Sequence, residues 1–464
     1  MTSLFHFKTT AGHRHNYPQV VCPNHAVIGG NRHVMTSKST VNPSVLRLNK
    51  YGTPAIDSPK ERVAWVVDTK SPSTGKFGRF GGKFVAETLI SALEELEVVF
   101  HQVLQDPEFQ EELTTALKDY VGRETPLYYA ERLTAHYKAQ NMGRGPDIYI
   151  KREDLAHLGA HKMNNALAQA IIAKRMGLTA VIAATGAGQH GIATAAACAK
   201  FGLSCTIFMG TADMEKQPSS VDLMNLLGAK VRPTAGSFKD ATSDSIRDWT
   251  EKLGEVYYLA GTAVGPHPCP TMVREFQSVI GRETRRQAAE KWGGTPDAVV
   301  ACVGSGSNAL GIFHEFVRDP TVRLIGVEAA GFGLNTGKHA ATLAAGEVGV
   351  YHGAMSYLLQ DEEGQITCPH SVGVGMEYPG VAPELSFLKE TGRMEFYSAS
   401  DEEAVEAYRR VARLEGILPA LEASHAFAYL EKLCPTMPDG AKIIISCSGR
   451  GEKDTETVFN YPIS

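Results

Sequence analysis

The sequence predicts an α/β protein of two lobes built on mainly parallel sheets, and three observations carry that expectation. The chain has 464 residues, more than one core usually holds. From about Lys76 onward, short β-rich runs alternate with helical patterns. Two Gly-rich turns each follow an apolar run and open a helix, and ligands bind at such strand ends in open α/β sheets. In order, the spacing predicts a strand over 178–183, a turn over 185–190, an Ala-rich helix over 191–201 and a strand over 204–209. A helix over 222–227 and a strand over 229–232 follow. A second set has a strand over 298–303, a turn over 304–308, a helix over 309–317 and a strand over 323–328, and the last strand falls at 442–447. We expect lobes over 57–275 and 276–464, each a three-layer α/β/α sandwich, with 128–160 packing on the second lobe. Solenoid repeats and low-complexity tracts are absent.

A 43% hydrophobic share and a formal net charge of -5 are those of an ordinary globular protein and give no reason to expect nucleic acid as a partner. That average hides an asymmetry. Six of the 46 Lys and Arg (Lys8, Arg14, Arg32, Lys38, Arg47, Lys50) precede Asp57, and none of the 51 Asp and Glu does, so the remainder carries about -11. The acid-free stretch 1–56 is rich in Ser, Thr, His and Asn and lacks the apolar core of a secretory signal, the composition of an organelle transit peptide. An untargeted N-terminal tail is the alternative. The eight cysteines show no C-x-x-C pair or metal spacing and read as reduced intracellular thiols. No run approaches ~20 apolar residues, so no membrane span is expected.

Three motifs carry chemistry. Gly304, Ser305, Gly306, Ser307 and Asn308 follow an apolar strand and open a helix, so backbone N–H groups converge where a phosphate could sit; a plain tight connection is the other reading. Thr185, Gly186, Ala187, Gly188, Gln189 and His190 offer the same setting to a smaller anion such as a carboxylate. In the run from Lys151 to Asn165, Lys162 stands at a helix start introduced by Gly159, where burial would favour the neutral, nucleophilic amine. A lone lysine is usually a solvated surface charge. A Schiff-base lysine, a phosphate cup and a carboxylate cup together spell pyridoxal phosphate and an amino acid.

At these residues, and at Gly78–Phe84, Thr125-Pro126-Leu127, Gly265-Pro266-His267-Pro268, Pro419-Ala420-Leu421-Glu422 and Ser448-Gly449-Arg450-Gly451, the chain resembles the tryptophan synthase β subunit, a fold-type II pyridoxal-phosphate enzyme. The resemblance covers essentially everything after the leader. The stretch from His352 to Gln360 is similar to the plant form, which agrees with a plastid stroma destination. The resemblance implies that the cofactor lies in the cleft between lobes, that Lys162 bonds it and shuttles protons, and that His161 lies beside its phosphate, cupped by Gly304 to Asn308. It implies that Ser448 bonds the pyridine nitrogen, keeping it neutral and favouring elimination and replacement at Cβ, with Glu422 near the ring. Thr185 to His190 would grip the substrate carboxylate, with Gly375 and Glu377 also at the substrate. A homodimer, and a monovalent cation (K+ or Na+) on carbonyls near Gly304, Tyr378 and Gly380, are implied by the resemblance alone.

The chain also departs from that family. The family begins its carboxylate turn with a Glu that assists loss of the serine hydroxyl and then engages the indole N–H; here the position is Ala184, which can do neither. Ala156 and Leu158 replace Asn and Thr, and Ser446 replaces Asn. The family's two arginines before the Leu-Leu-Gly turn are Leu223 and Asn225, which implies a lid acid, Glu377, without its cation. The stretch 231–242 is shorter than the family's loop facing the α subunit, which makes association with an α-type partner doubtful. Tyr351 and His352 fall where the family lines its indole channel. These changes gather on the nucleophile half of the site. The sequence therefore predicts an enzyme acting on an L-serine-like amino acid through an external aldimine, by β-elimination, β-replacement or a related lyase reaction, with altered second-substrate chemistry. Ordinary tryptophan synthesis from indole and L-serine, and a catalytically silent partner of an α-type subunit, are the alternatives.

Overall fold

The structure, a computed structural model, describes residues 75–462; the stretch 1–56 read as a transit peptide lies outside them, as does Cys22. A four-stranded, wholly parallel sheet has the order Lys230–Thr234, Ser204–Gly210, Ala180–Thr185, Val256–Tyr258. Its strands obey a period of two. Val181 and Ala183 face one core with Ile192 and Ala196 of the Gln189–Phe201 helix, while Ile182 and Ala184 face Phe208 and Ala241 of the Phe238–Glu251 helix. Helices thus cover both faces, and near-continuous apolar strands are the consequence.

The larger sheet has six strands in the order Met394–Ser400, Arg323–Gly331, Ala298–Cys302, Lys442–Cys447, Asp147–Arg152, Leu127–Tyr129. All pairings are parallel except the last, at the edge. Its last two strands come from the first half of the chain, ahead of the four-stranded sheet. Val299, Ala301 and Ile444 face the core that also takes Val181 and Ala183, so one apolar layer runs between the two sheets. Val300, Ile443 and Ile445 face a separate core with Phe427 and Leu430. A small antiparallel sheet joins Lys76–Phe77 and Phe80–Gly81 to the hairpin Glu347–Tyr351 and Ala354–Leu358. Among the described residues no helix is long and apolar enough to cross a membrane.

Element starts differ from the sequence expectation where turns feed helices. The helix expected over 222–227 begins at Pro218, whose missing N–H costs nothing at a first turn. The helix expected over 309–317 begins at Ser307 and tightens to a 3-10 turn over His314–Phe316.

Beneath the Lys162–Arg175 helix lies a buried cluster of four charges. Arg123 forks onto Glu153 at 2.7 Å and Glu283 at 2.7 Å, and Lys151 Nζ donates to Glu283 at 2.7 Å. Arg123 also donates to Asn164 Oδ1 at 2.7 Å, which ties the cluster to the helix carrying Lys162. Lys151 and Glu153 are 0% exposed. Burial pushes the Glu153 carboxyl up, but the Arg123 charge outweighs it and holds the group down at about 2. The stability Glu153 contributes is therefore complete above its unfolded value near pH 4.3 and is lost as pH falls toward 2. Arg123→Met leaves two buried carboxylates facing one lysine, and urea denaturation is expected to show a loss of about 3–5 kcal/mol. A change below about 1 kcal/mol would mean the cluster is not a structural tie.

Candidate active site

The carboxyl ends of both large sheets converge on one cavity. Lys162 is the first residue of a helix whose body, Met163 to Ala173, is entirely buried between the sheets. Its Nζ donates to Gly261 O at 2.8 Å and to Ser307 Oγ at 2.8 Å. Both acceptors are neutral, so burial lowers the amine to about 8, and a far larger share of it is uncharged near neutral pH than for a solvated lysine. His161 Nδ1 lies 2.9 Å from Ser448 O, and its Nε2 lies 3.1 Å from Ser307 Oγ. Burial, and then the Lys162 charge, lower His161 to about 3 and keep it neutral. A carbonyl can only accept, so Nδ1 carries the hydrogen, Nε2 accepts from the Ser307 hydroxyl, and the Ser307 oxygen is left to receive Lys162.

Gly304, Ser305, Gly306, Ser307 and Asn308 line the cavity. Gly306 has φ 101°, and a Cβ there would run into Leu385, so the turn needs glycine. Asn308 Nδ2 donates to Cys302 O at 2.8 Å, while its buried Oδ1 has no partner. On the opposite wall stand Thr185, Gly186, Ala187, Gln189 and His190, at the start of the 13-residue Gln189–Phe201 helix. Gly191 N donates to Thr185 Oγ1 at 3.1 Å, and Ser220 Oγ donates to Ala187 O at 3.1 Å, which fixes the turn. His190 Nε2 donates to Leu259 O at 3.1 Å, and burial lowers His190 to about 3. Ser448 leaves the Lys442–Cys447 strand with its Oγ 3.7 Å from Cys302 Sγ. Glu422 Oε1 accepts from Gly375 N at 2.9 Å, and Lys453 Nζ donates to its Oε2 at 3.1 Å. Burial pushes the Glu422 carboxyl up, but Lys453 and the backbone donors hold it below its usual value.

The cavity thus brings together Lys162, His161, the 304–308 turn, Ser448, Glu422, Gly375, Tyr378 and most of the 185–190 turn. Ala184, Gly188, Gly380 and Glu377 do not line it. Ala184 lies on the strand face that packs against Ile182, Phe208 and Ala241, beside Phe238, and it is Phe238 that reaches the cavity wall. The lid acid is not without a cation, because Glu377 Oε2 accepts from Lys216 Nζ at 2.7 Å. That lysine ends the Thr211–Lys216 helix, seven residues before Leu223, so a search for arginine at Leu223 and Asn225 passes it by. The short 231–242 stretch consists of the Lys230–Thr234 strand and a helix opened by a Ser237–Asp240 capping box.

Sequence reading missed Lys453, Gly261, Cys302, Thr262 and Phe238 as cavity residues. Lys453 had one signal, a charged run directly after the Ser448 turn. Gly261 acts through its backbone carbonyl and had none. Beside the cavity lies a second, more apolar chamber lined by Phe84, Leu89, Ile246, Trp249, Val264 and His352, and Thr262 lines both.

The residues present suit pyridoxal phosphate: an amine of lowered pKa, a glycine turn that a Cβ would block and a hydroxyl at Ser448 share one cavity. Residues 119–449 match the family "Pyridoxal-phosphate dependent enzyme". An L-serine ammonia-lyase from the fungus Rhizomucor miehei superposes with a TM-score of 0.56 at 15% identity, over 73% of this chain and 96% of that one. An O-ureido-L-serine synthase variant carrying O-ureido-L-serine superposes with a TM-score of 0.53 at 17% identity, over 74% and 92%. At these identities the likeness shows the fold, the fold-type II arrangement. With the matched stretch covering more than two thirds of its 464 residues, the chain belongs to the family of pyridoxal-phosphate dependent enzymes.

Proposed function

We propose that this protein is a tryptophan synthase β-like lyase that takes an L-serine-like amino acid through β-elimination and β-replacement, with second-substrate chemistry unlike that of its namesake. The observation that carries the reading is the pairing of two chambers, one built around Lys162, the other more apolar and adjoining it at Thr262. Simple elimination needs only the first. The two solved neighbours named above act on or carry serine-type amino acids, which supports the substrate class.

Bound pyridoxal phosphate supplies an electron sink for charge developing at Cα. The chain's own groups do the rest. The Thr185–His190 turn, with its helix dipole behind it, holds the carboxylate. Lys162, already neutral in part, accepts the Cα proton. Ser448 offers a hydroxyl to the ring nitrogen, and a hydroxyl leaves that nitrogen unprotonated, which favours loss of a Cβ group over transamination. Lys453 holds Glu422 as a carboxylate near the ring. On the nucleophile side Phe238 presents apolar surface at the cavity wall, and Ala184, where the family has its acid, packs behind it. Plastid localisation, a homodimer, a monovalent cation near Gly304, Tyr378 and Gly380, and weak or absent association with an α-type subunit belong to the same proposal.

Holoprotein given L-serine, with and without indole, tests the reading by cofactor absorbance and product analysis. L-serine is expected to change the spectrum, while tryptophan forms about 10²- to 10⁴-fold slower than in a tryptophan synthase β subunit whose site is built around the acid. A spectrum indifferent to L-serine would overturn the reading, and tryptophan formation at an undiminished rate would reduce it to ordinary tryptophan synthesis. Ala184→Glu is a second test. Because the Ala184 methyl packs away from the cavity, the carboxylate is expected to cost about 1–3 kcal/mol of stability and to raise indole condensation less than about tenfold. A gain of about 10²-fold would show that a carboxylate at 184 reaches the substrate.

A further inference from the structure

Loss of a hydroxyl from Cβ needs a proton donor, and the obvious candidates around the cavity are committed. His161 is spent on Ser448 O and Ser307, Ser307 on His161 and Lys162, His190 Nε2 on Leu259 O, and Glu422 on Lys453. One string of groups is not. Tyr378 lines the cofactor cavity and is 2% exposed. Its hydroxyl lies 2.9 Å from His352 Nδ1, and His352 Nε2 lies 3.3 Å from Ser243 Oγ. His352 and Ser243 both line the second chamber. The string therefore crosses the wall between the two chambers.

His352 is held for this purpose by the hairpin. Tyr351 pairs with Ala354, so His352 and Gly353 form a two-residue turn with φ of 45° and 87°. Such turns ordinarily take Asn-Gly or Asp-Gly. A histidine here accepts some backbone cost, and its ring is stacked on Tyr351 with centroids 3.8 Å apart. Burial lowers His352 to about 4 and raises the Tyr378 phenol well above its usual value, so both are neutral and the phenol keeps its proton at working pH.

We propose that Tyr378, His352 and Ser243 form a proton relay that protonates the group leaving Cβ, the task that Ala184 cannot perform. This rests on the L-serine reading above. In the tautomer with hydrogen on Nδ1, His352 donates to Tyr378 Oη, and Ser243 donates to Nε2. As the Cβ–O bond breaks with its electron pair on oxygen, that oxygen takes the Tyr378 proton and leaves as water. Tyr378 takes the Nδ1 proton, Nε2 takes the Ser243 proton, and Ser243 is refilled from solvent. The Cα–H electrons form the new carbon–carbon double bond as Lys162 takes that proton, so no oxidant or reductant is needed.

A leaving-group comparison on the holoenzyme tests the relay. Hydroxide needs a proton to leave, whereas chloride departs unaided. Tyr378→Phe and His352→Phe are expected to slow pyruvate release from L-serine about 10²-fold and to alter release from β-chloro-L-alanine by less than about threefold. His352→Gln, which retains one hydrogen bond but cannot pass a proton through, should behave like His352→Phe. The spectral response to L-serine, retained in each variant, shows that the site is folded and the amino acid bound. Equal slowing of both substrates, or of neither, overturns the relay and leaves the L-serine reading standing. No spectral response to L-serine in the unmodified enzyme overturns that reading, and the relay with it.

Discussion

Two lysines eleven residues apart are both buried, and the difference in their partners organises this protein. Lys151 Nζ meets the Glu283 carboxylate inside a cluster where Arg123 and Glu153 balance the remaining charge. Lys162 Nζ meets only a carbonyl and a hydroxyl. Burial without a counter-charge disfavours the ammonium, so Lys162 is an amine on the verge of deprotonation while Lys151 is a structural tie. The same desolvation that would destabilise an ordinary core makes this position reactive.

The helix that carries Lys162 is held by two polar ties as well as by packing. Asn165 and Gln169 bond Ala260, next to the Gly261 carbonyl that receives Lys162, and the charge cluster fixes the helix start. Asn164, two residues on, receives Arg123 and so links the helix start to the edge of the six-stranded sheet and to the Val279–Trp292 helix. The remaining functional groups follow the general rule for open α/β sheets, sitting just past the carboxyl ends of strands: Thr185 at the end of Ala180–Thr185, Gly304 after Ala298–Cys302, Ser448 after Lys442–Cys447. Fold and site are thus one arrangement, with backbone turns as the binding surface and few charged side chains inside it.

Local patterns made much of this legible in the sequence. Strand, Gly-rich turn and helix recur as contiguous units, so the two turns and the lysine ahead of them could be assigned. Parity alone does not say which strand face meets the site. Val181 and Ala183 share one face and Ile182 and Ala184 the other, and only the packed Phe238–Glu251 helix shows that the methyl of Ala184 faces an apolar layer. Contacts between distant segments were equally invisible: Lys216 with Glu377, Lys453 with Glu422, and the carbonyl of Gly261 with Lys162. Residue types looked for at fixed offsets mislead there, because a cation supplied seven residues earlier satisfies the same carboxylate.

The central claim is that the uncharged amine of Lys162, alone among the buried and exposed lysines, bonds the cofactor. Reducing the pyridoxal-phosphate-loaded protein with borohydride and mapping the labelled peptide by mass spectrometry tests it directly. The account predicts the cofactor mass on Lys162, with Lys151 and Lys453 unlabelled. Label on Lys453, or scattered over surface lysines with Lys162 bare, would contradict it.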